Sequence, residues 1–249
     1  MWAWGNNADG RLGDGTIYTW RSPVRVGLDN DRAVFASSIS LAGIRRADGS
    51  VWTHLAIRAD GSLWQVGSTN LRIGGDNDWA SVSMGHNHFA AIKNDGSLWT
   101  WGDNRWGQLG DGRRTTSLVN ANRGTPTRVG EDSDWASVSA GDRFVIAIKT
   151  DGSLWAWGEN RSGKTGLGTA RGDTLVPTRI GVGNDWAYVS AGVGHAVAIR
   201  RDGSLWAWRD NQHGALGNGA ETVFEGWEII DNGSLIPILV MPQNAPDAE

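Results

Sequence analysis

The chain has 249 residues, of which 16 are Trp, 36 are Gly and none is Cys. The absence of Cys excludes disulfide scaffolds, Cys-ligated zinc and thiol nucleophiles. A net charge of -4, from 23 Lys plus Arg against 27 Asp plus Glu, leaves no electrostatic footprint for nucleic acid.

The chain opens on Met1-Trp2-Ala3-Trp4-Gly5, without the basic and apolar regions of a secretory signal peptide. No apolar run approaches the roughly 20 residues that cross a bilayer as a helix. The expectation is no membrane partner and, by default, a cytoplasmic location. A Pro-containing run, Ser22-Pro23-Val24-Arg25-Val26, comes next. The stretch that follows is irregular. Asp48-Gly49-Ser50-Val51-Trp52 is followed 12 residues later by Asp60-Gly61-Ser62-Leu63-Trp64, and the next Asp-Gly-Ser begins only at Asp95. Residues 49–97 therefore read either as two repeats that each lost a piece or as one repeat rebuilt from fragments.

From there the repeat is regular. Leu98-Trp99-Thr100-Trp101-Gly102 recurs as Leu154-Trp155-Ala156-Trp157-Gly158 and as Leu205-Trp206-Ala207-Trp208. Asp-Gly-Ser precedes each copy, at Asp95, Asp151 and Asp202, and Asp-Trp-Ala starts 17 residues earlier, at Asp78, Asp134 and Asp185. Each unit carries three strand signals, such as Trp186–Ser190, His195–Arg200 and Leu205–Trp208. An Asp-Gly between the second and third is a strong hairpin signal, because Gly takes positive φ without steric cost. A Gly/Asn-rich loop follows, then a short run with Pro, as at Pro126 and Pro177. Pro cannot donate to a ladder, so that run belongs at an edge. Four short strands per roughly 50 residues describe a propeller blade. Side chains alternate along a strand, so Trp155 and Trp157 face one neighbour and Leu154 and Ala156 the other. Ten Trp lie in the Leu-Trp-x-Trp motif or its variants and three in Asp-Trp-Ala, which leaves Trp20, Trp106 and Trp227 outside the packing pattern.

The run from Gly85-His86-Asn87-His88-Phe89-Ala90-Ala91-Ile92 through Asp95-Gly96-Ser97-Leu98-Trp99 to Gly107-Gln108-Leu109-Gly110-Asp111-Gly112 resembles the RCC1 (regulator of chromosome condensation 1) repeat. It is most similar to Trp-rich bacterial members described as alpha-tubulin suppressor-like. The resemblance covers residues 1–240 and implies an all-β fold, a propeller of four-stranded blades acting as a protein-binding platform. Members usually have seven blades. This chain holds about five blade lengths, starts inside a Leu-Trp-x-Trp-Gly strand and ends on a Pro-containing one. The expectation is thus an open or incomplete propeller, or a fragment of a longer protein, with residues 241–249 as a short disordered tail.

Chemistry is sparse. Gly158-Glu159-Asn160-Arg161-Ser162-Gly163-Lys164-Thr165 matches the P-loop pattern, but Gly166-Leu167-Gly168-Thr169 is no helix, so it reads as a repeat turn. His88 and His195 share a repeat position that Phe144 fills elsewhere, which favours packing over metal ligation. No cofactor, metal or catalytic constellation is expected. The loop Asp111–Thr125 is longer than its counterparts and carries Arg113, Arg114 and Arg123. Trp and Arg are enriched in interface hot spots. Trp20, Trp106, Arg113, Arg114 and Arg123 are therefore the candidate protein-binding residues of a non-enzymatic scaffold. The alternative is a carbohydrate-binding propeller, which would need exposed indoles at one position in successive blades.

Overall fold

The computed structural model describes residues 54–66, 71–170, 172–209 and 234–241, and the strand backbone at 2–5, 20–25, 34–36, 223–225 and 228–230. Strands β1 (Trp2–Gly5) and β2 (Trp20–Arg25) form an antiparallel pair. Strands β3 (Val34–Ala36), β4 (His54–Ile57), β5 (Leu63–Val66) and β6 (Leu71–Arg72) form the 34–72 blade. The 79–128 blade holds β7 (Trp79–Met84), β8 (His88–Lys93), β9 (Leu98–Gly102) and β10 (Arg123–Arg128). The 135–180 blade holds β11 (Trp135–Ala140), β12 (Phe144–Lys149), β13 (Leu154–Gly158) and β14 (Thr174–Ile180). β15 (Trp186–Ala191), β16 (His195–Arg200) and β17 (Leu205–Arg209) begin the last blade. The hairpin β18 (Val223–Glu225) and β19 (Glu228–Ile230) lies on the connection to its fourth strand, β20 (Ser234–Met241).

The fold is an all-β propeller. Each four-stranded sheet runs up and down in chain order, and the Pro-containing strands β2, β10, β14 and β20 all lie at sheet edges. Within the irregular stretch, β4, β5 and β6 belong to the 34–72 blade and β7 and β8 to the 79–128 blade. Asp60-Gly61-Ser62 makes the turn between β4 and β5, while the earlier Asp-Gly-Ser at Asp48 lies outside the described residues, as does the tail beyond Met241.

The strands stack through alternating faces. Trp79, Val82, Ala91 and Trp101 pack on Leu55, Ile57 and Leu63 of the preceding blade. Trp135, Ala140, Ala147 and Trp157 pack on Ile92, Leu98 and Val129. Trp186, Val189, Ala198 and Trp208 pack on Phe144, Ile146 and Leu154. At these three interfaces the later blade sends indoles backward, and the earlier blade presents mainly aliphatic side chains forward. Burying one indole removes roughly 200 Å² from water, worth about 5 kcal/mol at about 25 cal/mol/Å² before entropic costs.

Polar groups fix how the indoles sit. Trp157 Nε1 donates to the carbonyl of Gln108 (3.0 Å) and Trp208 Nε1 to that of Lys164 (3.0 Å), each in the loop of the preceding blade. The outer indoles are held within their own hairpin. Ser97 donates from N and Oγ to Asp95 Oδ1 (2.9 and 2.6 Å), and Trp99 Nε1 donates to Ser97 Oγ (2.8 Å). Residues 60–64, 151–155 and 202–206 repeat this chain of bonds. The hydrogen bonds from Ser97 hold the Asp95 carboxyl below its usual range. Lys93 bridges Asp76 and Asp78 (2.7 and 3.1 Å) above the Trp79 and Trp99 rings. Burial alone would lower its pKa, but the two carboxylates outweigh burial and raise it. A bulge after each Asp-Trp-Ala tryptophan sets its ring edge-on to the outer indole, with centroids 5.9 Å apart for Trp79 and Trp99.

His88 is fully buried where β8 begins, in the place that Phe144 fills in the next blade. Its ring lies against Gly85, and Phe144 lies against Gly141 in the same way. Burial pulls its pKa down to about 4, opposed by the charge of Asp103 and aided by that of His86.

Three outcomes follow from this packing. Trp157→Phe keeps a ring in place but leaves the Gln108 carbonyl unpaired, and should cost about 1–3 kcal/mol in urea unfolding. Gly96 has φ +78°, and an added Cβ would meet the Ser133 carbonyl at 2.3 Å, whereas Gly203 has φ +84° with nothing within 4 Å. Gly96→Ala should therefore lower the urea midpoint more than Gly203→Ala, which carries only the backbone penalty of about 1 kcal/mol. The third concerns acid. The unfolded His88 binds a proton below about pH 6.5 and the folded one only below about 4. Stability is present above the upper value and falls as pH drops between the two. His88→Phe should lose about 2 kcal/mol less than the parent between pH 7 and about pH 5, and equal losses would show that His88 is not the group responsible.

Candidate functional site

The up-and-down order places the β7–β8 and β9–β10 loops at one end of the blade and the Asp-Gly-Ser turns at the other. The turn end is spent on the hairpin bonds and lysine bridges. The opposite end carries the long 103–122 loop, and one buried amide organises it. Asn104 Oδ1 accepts from Leu109 N (3.0 Å), its Nδ2 donates to Asp111 Oδ1 and the Arg113 carbonyl (3.1 and 3.2 Å), and its carbonyl accepts from Thr115 N (2.8 Å). Thr115 Oγ1 donates to Asn122 Oδ1 (2.7 Å), and buried Ala121 pins the returning strand. The tip is a turn in which Thr116 N donates to the Val119 carbonyl (2.8 Å). The loop is therefore a built object with a fixed outline.

Trp106 stands on this loop, half-buried. Its backbone N–H donates to Gln108 Oε1 (2.8 Å). The guanidinium carbons of Arg143 and Arg161 lie 5.2 and 4.5 Å from its ring centroid. Both arginines come from the next blade's loops at this end. Such cation–π contacts contribute about 0.5–1 kcal/mol at exposed sites. Trp106 and Arg105 form a ridge between two hollows. One is lined by His86, Asn87, Asp103, Gln108, Asp142 and Arg143. The other is lined by Arg114, Arg161 and the hydroxyl run 115–117.

Of the five residues expected to bind a partner, Trp106 and Arg114 meet in the second hollow. Arg113 is exposed beside it. Arg123 is turned inward, with Nη2 on Asp111 Oδ2 at 2.9 Å, where it braces the loop. Trp20 opens β2, and its side chain lies outside the described residues. Sequence reasoning missed Arg105, which adjoins Trp106 in the chain, and it missed Arg143 and Arg161, which only the blade stacking brings to that ring. It also missed Leu118 at the loop tip, an exposed apolar residue with no periodic neighbour to mark it.

The P-loop lookalike is the corresponding loop of the next blade. Asn160 Oδ1 accepts from Thr165 N and Oγ1 (3.4 and 2.6 Å), and Lys164 Nζ donates to Glu159 Oε2 (3.0 Å). Its Lys164 carbonyl holds Trp208. These groups serve the frame, and no helix N-terminus stands behind them. Among the described residues, no three His, Asp or Glu side chains converge as a metal site.

Comparison with known proteins gives the lineage. The family model for the regulator of chromosome condensation (RCC1) repeat matches residues 95–148 and 151–199, and a second RCC1-repeat model matches 79–108 and 135–164. The ultraviolet-B receptor UVR8 of Arabidopsis thaliana is 34% identical over 55% of this chain and 31% of its own length. The mitochondrial RCC1 domain-containing protein RUG3, also of Arabidopsis thaliana, is 29% identical over 92% of this chain and 57% of its own. Yeast RCC1 (Prp20), solved with Kap60 bound to it, superposes with a TM-score of 0.67 at 18% identity, over 97% of this chain and 57% of that one. The chain thus spans between about a third and three fifths of the length of these relatives. With its blades, its turn chemistry and these matches, the chain belongs to the RCC1-repeat family of β-propellers.

Proposed function

We propose that the chain is a non-enzymatic protein-binding scaffold whose platform is the loop-bearing end around Trp106. One observation carries this reading. Trp106 stands in a loop, clear of the packing strands, and is flanked by Arg143 and Arg161 on a ridge between two hollows. An amphipathic ring braced by guanidinium groups is the kind of anchor that dominates interface energetics. Arg113 and Arg114 extend the platform along the loop, and Trp20 remains a candidate at β2. The binding of Kap60 by yeast RCC1 supports a protein partner for this fold in general terms.

The carbohydrate reading draws less support. The indoles at equivalent positions, Trp64, Trp99, Trp155 and Trp206, each have a cation over the ring, from Arg58, Lys93, Lys149 and Arg200. Each also spends its N–H on a hairpin serine. Faces occupied in this way do not offer themselves to sugar rings.

The test is affinity capture from a lysate of the source organism with the full chain as bait. A bait carrying Trp106→Ala, Arg113→Ala and Arg114→Ala should keep its cooperative melt and lose the partners held by the parent. A variant that is folded and captures an unchanged set would remove this platform from the reading.

A further inference from the structure

We infer that the hollow beside Trp106 takes an acidic peptide segment, with carboxylates on Arg105, Arg114 and Arg161 and an apolar side chain between Trp106 and Leu118. This inference rests on the platform reading and adds the chemistry of the partner.

The first support is the vertical ordering of charge. The side chains of Arg105, Arg114 and Arg161 are 61%, 48% and 61% exposed, while their counter-ions are sunk, with Asp103 at 11% and Asp173 at 2%. Arg114 Nη1 lies 3.0 Å from Asp173 Oδ2, Arg161 Nε lies 3.8 Å from Asp173 Oδ1, and Arg105 Nε lies 3.0 Å from Asp103 Oδ2. The inner carboxylates orient the guanidinium groups and leave their outer N–H donors facing solvent. A guanidinium has five donors in a planar fork, so one carboxylate beneath does not exhaust it. Among the described residues lining this hollow there is no carboxylate; the others are Trp106 and the hydroxyls of Thr115, Thr116 and Ser117.

The second support is the apolar tip. Leu118 is 93% exposed and Val119 53%. The turn that presents them is tied by Leu118 N and Val119 N donating to Thr116 Oγ1 (3.3 and 3.2 Å). An ordered loop that holds a leucine in water gains nothing from it in the isolated chain.

The third support is charge balance. Three arginines over two buried aspartates leave about one net positive charge, facing outward from a chain of net charge -4. That modest excess, spread over separate forks beside an apolar tip, suits dispersed carboxylates interleaved with aliphatic residues. A phosphodiester backbone would want a longer basic track.

The test is fluorescence anisotropy with the full chain. The probe is a labelled synthetic peptide alternating Glu with Leu, and the controls are its Gln counterpart and a single-stranded oligonucleotide. Arg105→Gln and Arg161→Gln are the variants of choice, because the shorter Arg114–Asp173 contact stays intact and Asp173 keeps a partner. Leu118→Ser tests the apolar contact at a site too exposed to disturb folding. The acidic peptide should bind, weaken roughly fivefold to tenfold with each substitution, and weaken with added salt. Equal binding of the Gln peptide, or binding indifferent to both arginine variants, would overturn the acidic assignment. Tighter, substitution-sensitive binding of the oligonucleotide would overturn it in favour of nucleic acid. If the lysate partners depend on Trp106 while the acidic peptide does not bind, this inference falls and the platform reading stands. If capture is also indifferent to the Trp106 bait, both fall.

Discussion

One contact sets the geometry at two successive blade interfaces: an indole N–H of one blade donating to a backbone carbonyl in the loop of the blade before it. Trp157 on Gln108 and Trp208 on Lys164 are its two instances among the described residues. The ring supplies most of the apolar area at the interface, and the single polar atom fixes its depth and rotation. A buried indole N–H without an acceptor would cost about 1–3 kcal/mol, so the loop carbonyl and the ring must arrive together. That requirement explains the glycine two residues after the carbonyl. An added Cβ at Gly110 would lie 2.8 Å from Trp157 Nε1, and one at Gly166 would lie 2.7 Å from Trp208 Nε1.

The repeated polar residues follow from the same demand. Asp95, Ser97 and Lys93 look like a supply of catalytic groups when counted. In place, each is bound to its own hairpin or to the indoles beside it. Repetition therefore marks the frame, and specific recognition has to come from what is not repeated. Trp106, Arg114, Arg143 and the tip at Leu118 answer that description, and they gather on one end of two adjacent blades.

The fold was legible because its signals are local and recur. Asp-Gly-Ser needs only its own turn, the alternation of Trp155 and Trp157 against Leu154 needs only a strand, and Pro126 or Pro177 marks an edge by lacking an N–H. The packing role of His88 was legible too, because Phe144 stands in the equivalent place. The candidate site was only half legible. Trp106 and the loop arginines stood out by departing from the pattern. Arg143 and Arg161 did not, because they reach Trp106 only when the next blade stacks beside it, and no spacing rule within a repeat reports that. Arg123 looked like its neighbours in sequence, and only the partner on the other side, Asp111, distinguishes a brace from a contact. The match to a phosphate-binding loop, read as a repeat turn because no helix follows, is a pattern satisfied letter by letter whose polar groups are taken up by Asn160, Glu159 and Trp208.

The place of the anchoring carbonyl within its loop has a consequence for how such a chain can change. Gln108 and Gly110 come early in the 103–122 loop, and pairing resumes at Arg123 with Gly102 as its partner. The acceptor for the next blade's indole and the glycine beside it are in place by residue 110, and the return is set by the ladder. The stretch between is free to lengthen at a closure cost of only about 0.6 kcal/mol per doubling. One blade can therefore acquire a new surface while keeping the indole contact that seats the next. The architecture separates a heritable frame from a segment open to experiment, repeated once per blade.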